Sequence, residues 1–242
     1  MKFIRDKRDI VIALLAILFL IKVPKEGTNY LFWVIAGVFL CLLWDFLINR
    51  AFLKKEILLK SAIISGFIVS GILDYRQPWF VLAIICSLAI LSKHIFKFNK
   101  RHIFNPANFA LFVATIFKIP LTWNIGSNIT LIIICGLYLA YVYKKFSHIL
   151  GFLVFFGIPS VLTKTNPFLL ISWFFLFIML IEPKTSGYGL LRGFLFGGIS
   201  GLISFLIFRL IPIFDPFIAS LFFANLANPL LDKLIFTKQP VK

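Results

Sequence analysis

Apolar runs of roughly 15 to 20 residues, close to the length of a membrane-spanning helix, recur along the whole chain, and short polar connectors separate them. A helix needs about 20 apolar residues to cross a hydrocarbon layer of about 30 Å. Of the 242 residues, 61% are hydrophobic, and a soluble domain of this size cannot bury so much apolar surface in one core. The sequence therefore predicts an all-α, multi-pass protein of the cell membrane. Residues 1–242 are predicted to form a single transmembrane domain with the lipid bilayer as partner.

The boundaries of the apolar runs define ten predicted transmembrane helices. They cover residues 10–23, 30–48, 58–73, 78–92, 106–119, 127–143, 147–163, 166–182, 189–210 and 214–236. Several of these runs are shorter than a bilayer requires, which indicates that half-spans or strongly tilted helices are among them.

The positive charges support this count of helices, because Lys and Arg collect in connectors that remain in the cytoplasm. With ten alternating helices, all but six of the 25 Lys and Arg residues fall on one side. The exceptions are Lys22, Lys25, Arg76, Lys118, Lys164 and Arg209. Both termini are therefore predicted to lie in the cytoplasm. The same explanation covers the net charge of +16, which does not indicate a nucleic-acid partner because the basic residues sit in short loops.

The cysteines and the polar residues argue against several other functions. The three cysteines lie inside apolar runs, without the CxxC or Cys/His spacing of a zinc or iron–sulfur site. They are predicted to be buried as small hydrophobic side chains, and no metal site is predicted. The sequence also lacks a Ser/His/Asp context for hydrolysis.

The segment HIFNPANFA places two amides and a proline at the start of the fifth span. Asn105 suits the N-cap of a helix that begins at Pro106, which is the structural explanation. Asn108 lies one turn further in, where its amide faces either a partner helix or a ligand. Lys93 and His94 precede this helix start, whose positive dipole end and nearby cations suit an anionic or electron-rich ligand. The alternative for these cations is a solvated loop that orients the chain.

A second polar segment, IEPKTSG, lies at the cytoplasmic end of the eighth span. Glu182 is followed by a proline that is predicted to end the helix. Thr185 and Ser186 belong to a turn that can present backbone amides to a ligand.

A third polar segment, FFANLANPLLDKL, lies in the last span. It carries two amides and a carboxylate, from Asn225, Asn228 and Asp232. Pro229 frees a backbone carbonyl one turn earlier, and a break in the helix at this point would suit a pathway through the protein.

Small residues are concentrated in the third and ninth spans, where they permit close helix packing. They are Ser65, Gly66, Ser70, Gly71, Gly193, Gly197, Gly198, Ser200 and Gly201. The alternative explanation is the close approach of a planar ligand.

Taken in order, these segments resemble the RnfD/NqrB family, the membrane subunits of the Rnf and Nqr electron-transport complexes. The resemblance covers about residues 55–236 and rests on the segments SAIISG, QPWF, SKHIF, FNPANFA, GLYLAY, IEPKTSG, FGGISGLIS and FFANLANPLLDKL. The order of the FNPA, Glu-Pro-x-Thr-Ser and Asn-x-x-x-Pro-Leu-x-Asp motifs is the most specific part of it.

The resemblance implies a ten-helix bundle built from two related halves, other membrane subunits as partners, flavin carriers, and coupling to Na⁺ or H⁺ movement. It implies a cofactor-binding interior formed by Lys93, His94, Asn105, Asn108, Glu182, Thr185, Ser186, Asn225, Asn228 and Asp232. The implied role is that of a non-catalytic subunit of an ion-translocating oxidoreductase, with FMN or riboflavin bound noncovalently.

Covalent attachment of FMN is not favoured, because the connector after the fifth span is short. The family joins FMN to a Thr in a Ser-Gly-Ala-Thr context preceded by Asp. In the connector LTWNIGSNIT, the segment SNIT at residues 127–130 keeps the Ser and Thr spacing but lacks the Asp, Gly and Ala of that context. Thr130 and Thr122 are the weak candidates for attachment, and deletion of the flavinylation loop is the favoured explanation. If a carrier is lost, a transporter or channel for a small solute or ion becomes the alternative function, since broken helices also suit transport.

Overall fold

The structure is a computed structural model that describes residues 6–53, 59–98, 101–182, 185–186 and 189–236. Within the helices and strands it leaves aside the side chains of residues 51–53, 101 and 232–236. The chain is all-α, as predicted. Its helices are α1 Lys7–Glu26, α2 Thr28–Leu47, α3 Leu59–Ile72, α4 Trp79–Ile95, α5 Pro106–Ile116, α6 Ile129–Tyr143, α7 Phe146–Leu162, α8 Pro167–Leu170, α9 Leu190–Leu210 and α10 Pro216–Phe236.

Shorter elements connect or extend these helices. A π-helical turn, Ile48–Leu53, continues from α2, and a 3₁₀ turn, Asn124–Gly126, precedes α6. Between α4 and α5, the two-residue strands β1 Lys97–Phe98 and β2 Arg101–His102 pair in antiparallel register.

Nine of the ten predicted ranges coincide with a single helix in the part of the chain that the structure describes. The eighth, 166–182, is wrong as a continuous helix, because α8 ends at Leu170 and a π-helical segment follows over Phe175–Met179. Local hydrogen bonds explain the interruption. Asn166 accepts from the backbone N–H of Phe168 and starts α8, and Ser172 accepts from that of Phe175 and starts the second segment.

The two prolines of the polar motifs differ in their effect. Helix α5 begins at Pro106, as predicted. The predicted break at Pro229 is wrong, because α10 continues through this residue. A proline inside a helix still removes one backbone donor, so the carbonyl of Asn225 loses its helical partner even though the helix persists.

The contacts between residues divide the chain into two compact units. Unit 1 contains Met1–Ile95 and Pro106–Leu131, and unit 2 contains Phe96–Asn105 and Ile132–Lys242. The division places five of the ten predicted spans in each unit.

Small residues allow the backbones of neighbouring helices to meet in both units. In unit 1, a methyl group added at Gly66 would lie 2.6 Å from Cα of Val38 in α2. In unit 2, one added at Gly201 would lie 2.6 Å from the carbonyl oxygen of Phe152 in α7. Such distances are too short for a real side chain, so the prediction of close helix packing is confirmed at these two glycines.

Many large apolar side chains remain on the surface of the chain. Phe117, Leu162 and Leu169 are 72%, 78% and 83% exposed. Within the described ranges, two helices are long and apolar enough to cross a membrane, Thr28–Arg50 and Leu190–Leu210. Six shorter helices in these ranges are also apolar.

We expect Gly201→Ala to destabilise the protein, since the added methyl group meets the α7 backbone. Overpacking of this kind costs about 1–3 kcal/mol. The matched control is Gly157→Ala in α7, where nothing lies within 4 Å of the new methyl group. Its expected effect is a gain of about 0.5–1 kcal/mol, because alanine is the better helix former. Thermal unfolding of both purified variants checks this, and equal midpoints would contradict it.

Candidate functional site

Each unit contains a cluster of buried polar side chains that joins several helices. The Asp45 cluster in unit 1 consists of Asp45, Asn49, Lys93 and His94. It joins the end of α2, and the π-helical turn after it, to the last turn of α4.

Asp45 is completely buried, and its oxygen Oδ1 holds the Asp45 cluster together. Asn49 Nδ2 donates to this oxygen at 2.9 Å, Lys93 Nζ forms an ion pair with it, and His94 Nε2 lies 3.5 Å away. The other oxygen, Oδ2, is also buried and has no hydrogen-bond partner among the described residues.

The position of Lys93 and His94 also suits the electrostatics of α4. Cations in the last turn of a helix face the negative end of its dipole. Asp45 adds a full negative charge beside them, and a buried charge is tolerated only when such a partner is present. Sequence reasoning singled out Lys93 and His94 as ligand contacts but missed Asp45. The available signal was a carboxylate inside an apolar run, which is rare in a membrane unless it has a function.

The Lys145 cluster in unit 2 brings together residues from four separate stretches of the chain. It consists of Lys145, His148, Glu182, Thr185, Ser186, Arg192 and Asn228. The turn at residues 185–186 is its centre.

Ser186 contacts Lys145 and His148, which lie at the start of α7. Lys145 Nζ donates to Ser186 Oγ at 3.0 Å, and His148 Nε2 lies 2.9 Å from the Ser186 carbonyl oxygen. Ser186 Oγ in turn donates to the carbonyl of Glu182 at 2.6 Å, and Thr185 Oγ1 donates to Glu182 Oε2 at 2.9 Å. Hydrogen bonds therefore connect the turn both to itself and to α7.

Asn228 connects the same turn to α9 and α10. Its Oδ1 accepts from Arg192 Nη2 at 2.9 Å, and its Nδ2 donates to the Thr185 carbonyl. Two of the predicted motifs, IEPKTSG and FFANLANPLLDKL, are thus joined by one side chain.

The Lys145 cluster contains two basic side chains, Lys145 and Arg192, but only one carboxylate, Glu182. Lys145 is fully buried, and this burial, together with the positive charge of Arg192, lowers the pKa of Lys145 to about 7. The carboxylate of Glu182 acts on this pKa in the opposite direction. Sequence reasoning counted Lys145 and Arg192 as loop charges and missed both, because a sequence does not show which cation of a basic connector is buried.

The remaining predicted residues lie around the start of α5 and in α10. Asn105 and Asn108 are buried around the start of α5, and Asn225 is buried in α10. Neither amide atom of Asn225 has a hydrogen-bond partner within the described residues. Asp232 lies in α10, but its side chain is outside the described residues, as is Pro183 of the second motif.

The candidates for covalent FMN attachment are exposed residues of unit 1. Thr130 lies in the first turn of α6, and Thr122 precedes the 3₁₀ turn, with its backbone N–H bonded to the carbonyl of Ile72.

The structure does not assign the predicted flavin to either cluster. The donors of the Lys145 cluster are two cations, hydroxyls, an imidazole and the Asn228 amide, which suit an oxygen-rich group. In the Asp45 cluster, Lys93 and His94 already face a carboxylate. A groove of about 390 Å³ in unit 2 is lined by Tyr141, Val142, Lys144, Phe146, Ser147 and Leu190, which include none of the predicted residues. Flavin binding therefore stays a prediction that is not assigned to particular side chains.

Comparison of the chain with protein-family models gives no match, and comparison with curated protein sequences gives none either.

We expect loss of one partner of the Asp45–Lys93 pair to be costly. Asp45→Leu leaves a buried cation behind, which costs about 3–5 kcal/mol, whereas Asp45→Leu combined with Lys93→Met removes both charges and costs less. Denaturant unfolding of the single and double variants measures the difference. Lys60→Met is the control, because it removes an exposed ion pair with Asp9 and should change stability little. A double variant as unstable as Asp45→Leu would contradict the prediction.

The lowered pKa of Lys145 predicts a pH dependence of stability. The unfolded chain binds a proton at Lys145 below about pH 10.5, whereas the folded chain does so only below about 7. The contribution of Lys145 to the free energy of unfolding is therefore complete above pH 10.5 and is lost as the pH falls towards 7. We expect Lys145→Met to flatten the rise of the unfolding midpoint between pH 7 and 10. The exposed neighbour provides the control, since Lys144→Met should keep the slope of the unaltered protein.

Proposed function

We propose that this chain is a multi-pass protein of the cell membrane and a non-catalytic subunit of an Rnf/Nqr-like electron-transport complex. In this proposal the chain has ten membrane segments, both termini lie in the cytoplasm, and its partners are other membrane subunits.

The exposed apolar side chains support the membrane assignment. Leu169 and Leu190 are 83% and 84% exposed, and such residues recur on helices of both units. A surface of this kind is unfavourable in water and favourable in lipid. The interruption after α8 is compatible with a membrane as well, because irregular backbone occurs there where protein encloses it, and Ile171 and Phe174 are buried.

The observation that carries the subunit assignment is the position of Asn228. Its amide forms hydrogen bonds with Thr185 of the IEPKTSG motif and with Arg192 at the same time. Asn228 itself belongs to the motif FFANLANPLLDKL and follows Thr185 by 43 positions. The resemblance to the RnfD/NqrB family rests on the order of these motifs. Their contact in the structure supports the view that both belong to one site.

Coupling to Na⁺ or H⁺ movement is part of the proposal, and the Asp45 cluster supports it. Ionisable residues within a membrane protein usually serve a transport or relay function. Oδ1 of Asp45 is held by Asn49 and Lys93, while Oδ2 has no hydrogen-bond partner in the described part of the chain. A proton can be accepted at Oδ2 and returned from it.

A bound flavin would supply the one-electron chemistry of such a complex. The chain's own residues would orient the partner subunits and exclude water from the electron path, and none of them is assigned a contact to the flavin ring.

Transport of a small solute or ion is the second candidate function. The interruption between Leu170 and Phe175 favours it, because discontinuous helices often form substrate sites in transporters.

The test expresses the full chain together with the products of its genomic neighbours and purifies it from membranes in detergent. The expected result is a membrane protein with a cytoplasmic C-terminal reporter, co-purifying subunits and a flavin absorbance spectrum. Asn228→Leu should reduce subunit recovery, whereas Leu226→Ala on the exposed side of the same helix should not.

Two results would count against the proposal. Extraction without detergent would exclude the membrane assignment. A detergent-purified chain without partners or flavin, but with solute uptake in proteoliposomes, would exclude the electron-transport role and favour the transporter.

A further inference from the structure

The groove in unit 2 lies where α6 ends and where α7 and α9 begin. Its volume of about 390 Å³ falls within the usual range of ligand pockets, about 300–1,000 Å³. Phe146 and Leu190, the first residues of α7 and α9, line it together with Tyr141 of α6. All three side chains are exposed. The groove therefore presents an open apolar wall to which three helices contribute.

Basic side chains stand in this groove and next to it. Lys144 lines the groove and is exposed. Lys145 lies between Lys144 and Phe146 in the chain, and Arg192 follows Leu190 by two positions. Both belong to the Lys145 cluster, in which one carboxylate accompanies two basic side chains. The apolar wall is therefore combined with a surplus of positive charge, which favours an anionic partner.

Helices α7 and α9 begin side by side at the groove. A methyl group added at Gly193 would meet Ser147 and His148, and one added at Gly201 would meet the backbone of Phe152. Each advance along α7 is therefore matched by an advance along α9, so the two helices run parallel. Their positive dipole ends, each equivalent to about half a charge, lie at the same end of unit 2.

The polar groups at these helix starts suit an oxygen anion. No side chain within the described residues caps the first turn of α7 or of α9. Backbone N–H groups of a first turn lack helical acceptors, so they suit an anion that lies beside them. Ser147, which lines the groove, also carries a hydroxyl that can donate to such an anion.

We propose that this groove binds the head group of an anionic phospholipid of the cytoplasmic leaflet. Lys144 and the starts of α7 and α9 hold the lipid phosphate, while Tyr141, Phe146 and Leu190 contact the glycerol and the upper acyl chains. The inference rests on the proposed membrane orientation of the chain, which puts these helix ends on the cytoplasmic side. It adds a lipid of defined charge to the partners of the proposed complex.

The apolar wall favours a phospholipid over a soluble anion. A free phosphate would use Lys144 and the helix starts but would leave the exposed Tyr141, Phe146 and Leu190 uncovered. A phospholipid covers both kinds of surface at once. Tyrosine is common at the level of the lipid head groups, and basic pockets between helices on the cytoplasmic side bind anionic head groups. A zwitterionic lipid suits the groove less well, because its own ammonium group would approach Lys144.

The test measures lipid binding to the detergent-purified full chain by native mass spectrometry. The protein is titrated with dioleoyl phosphatidylglycerol and, separately, with dioleoyl phosphatidylcholine, which has the same acyl chains but no net charge. We expect the first phosphatidylglycerol to bind roughly tenfold more tightly than the first phosphatidylcholine, since each basic side chain at a membrane surface favours anionic lipid about fivefold.

Lys144→Met should weaken phosphatidylglycerol binding about fivefold and leave phosphatidylcholine binding unchanged. Lys164→Met is the matched control. Lys164 is also exposed and also has a left-handed backbone, with φ of 58° against 56° at Lys144. It lies beyond the other end of α7, where the helix dipole is negative. Its replacement should change neither affinity.

Leu190→Glu provides a second variant, because it places a carboxylate in the groove at a position that is exposed. We expect it to abolish the preference for phosphatidylglycerol. Leu169→Glu alters an equally exposed leucine of α8 that does not line the groove, and should keep the preference. A photoreactive phosphatidylglycerol should label Phe146 or Leu190 in the unaltered protein, and inorganic phosphate should not displace it.

Equal affinity for the two lipids, or equal losses in Lys144→Met and Lys164→Met, would overturn the inference. Labelling confined to other parts of the chain would do so too. Displacement by inorganic phosphate would overturn it in favour of a soluble anion.

The same preparations separate this inference from the proposed function. A chain that prefers phosphatidylglycerol but carries no flavin and recruits no subunits would overturn the electron-transport role and leave the lipid site standing. A chain that recruits subunits and flavin but shows no lipid preference would overturn the lipid site alone.

Discussion

Polar groups that leave water must find partners inside the protein, and this constraint explains the arrangement of both units. Asp45 is compatible with its apolar surroundings because Lys93 and Asn49 reach the same carboxylate oxygen. The turn at residues 185–186 is compatible with burial because Lys145, His148 and Asn228 bond to it. In each unit a polar cluster fixes the ends of helices that also pack through apolar contacts, which lack direction.

Close backbone contact is the second requirement, and glycine meets it. Gly151 and Gly197 bring α7 and α9 together until the backbone of one helix occupies the space that a side chain of the other would need. This approach places His148 and Arg192 on neighbouring helices within the same cluster. Packing and polar chemistry are therefore coupled in unit 2, since the hydrogen bonds of Ser186 and Asn228 require helices that lie this close.

The sequence predicts most helices well because long apolar runs bounded by polar connectors leave few alternatives. Pro106 marked a helix start because its ring fixes the backbone and its missing N–H is not needed there. The interruption near Ser172 was missed because it depends on one side chain accepting a backbone hydrogen bond inside an apolar run. Pro229 was expected to break α10, but the neighbouring turns keep the helix intact.

The polar clusters were predicted only in part, and the reason is burial. Glu182, Thr185, Ser186 and Asn228 stood out because amides, hydroxyls and carboxylates are rare in apolar surroundings. Lys145 and Arg192 did not stand out, because the sequence of a basic connector does not show which of its side chains is exposed and which is buried. Asp45 pairs with a cation 48 positions later, and such a pairing follows from the fold and not from local spacing.

Two adjacent lysines in the connector between α6 and α7 differ in burial. Lys144 adopts a left-handed backbone conformation, with φ of 56°, and stays exposed, while Lys145 turns inward and is fully buried. Position 144 should accept side chains that tolerate this backbone conformation, whereas a single inserted or deleted residue beside it would rotate the inner ammonium away from Ser186. The length of this connector is therefore constrained together with the residue type at position 145.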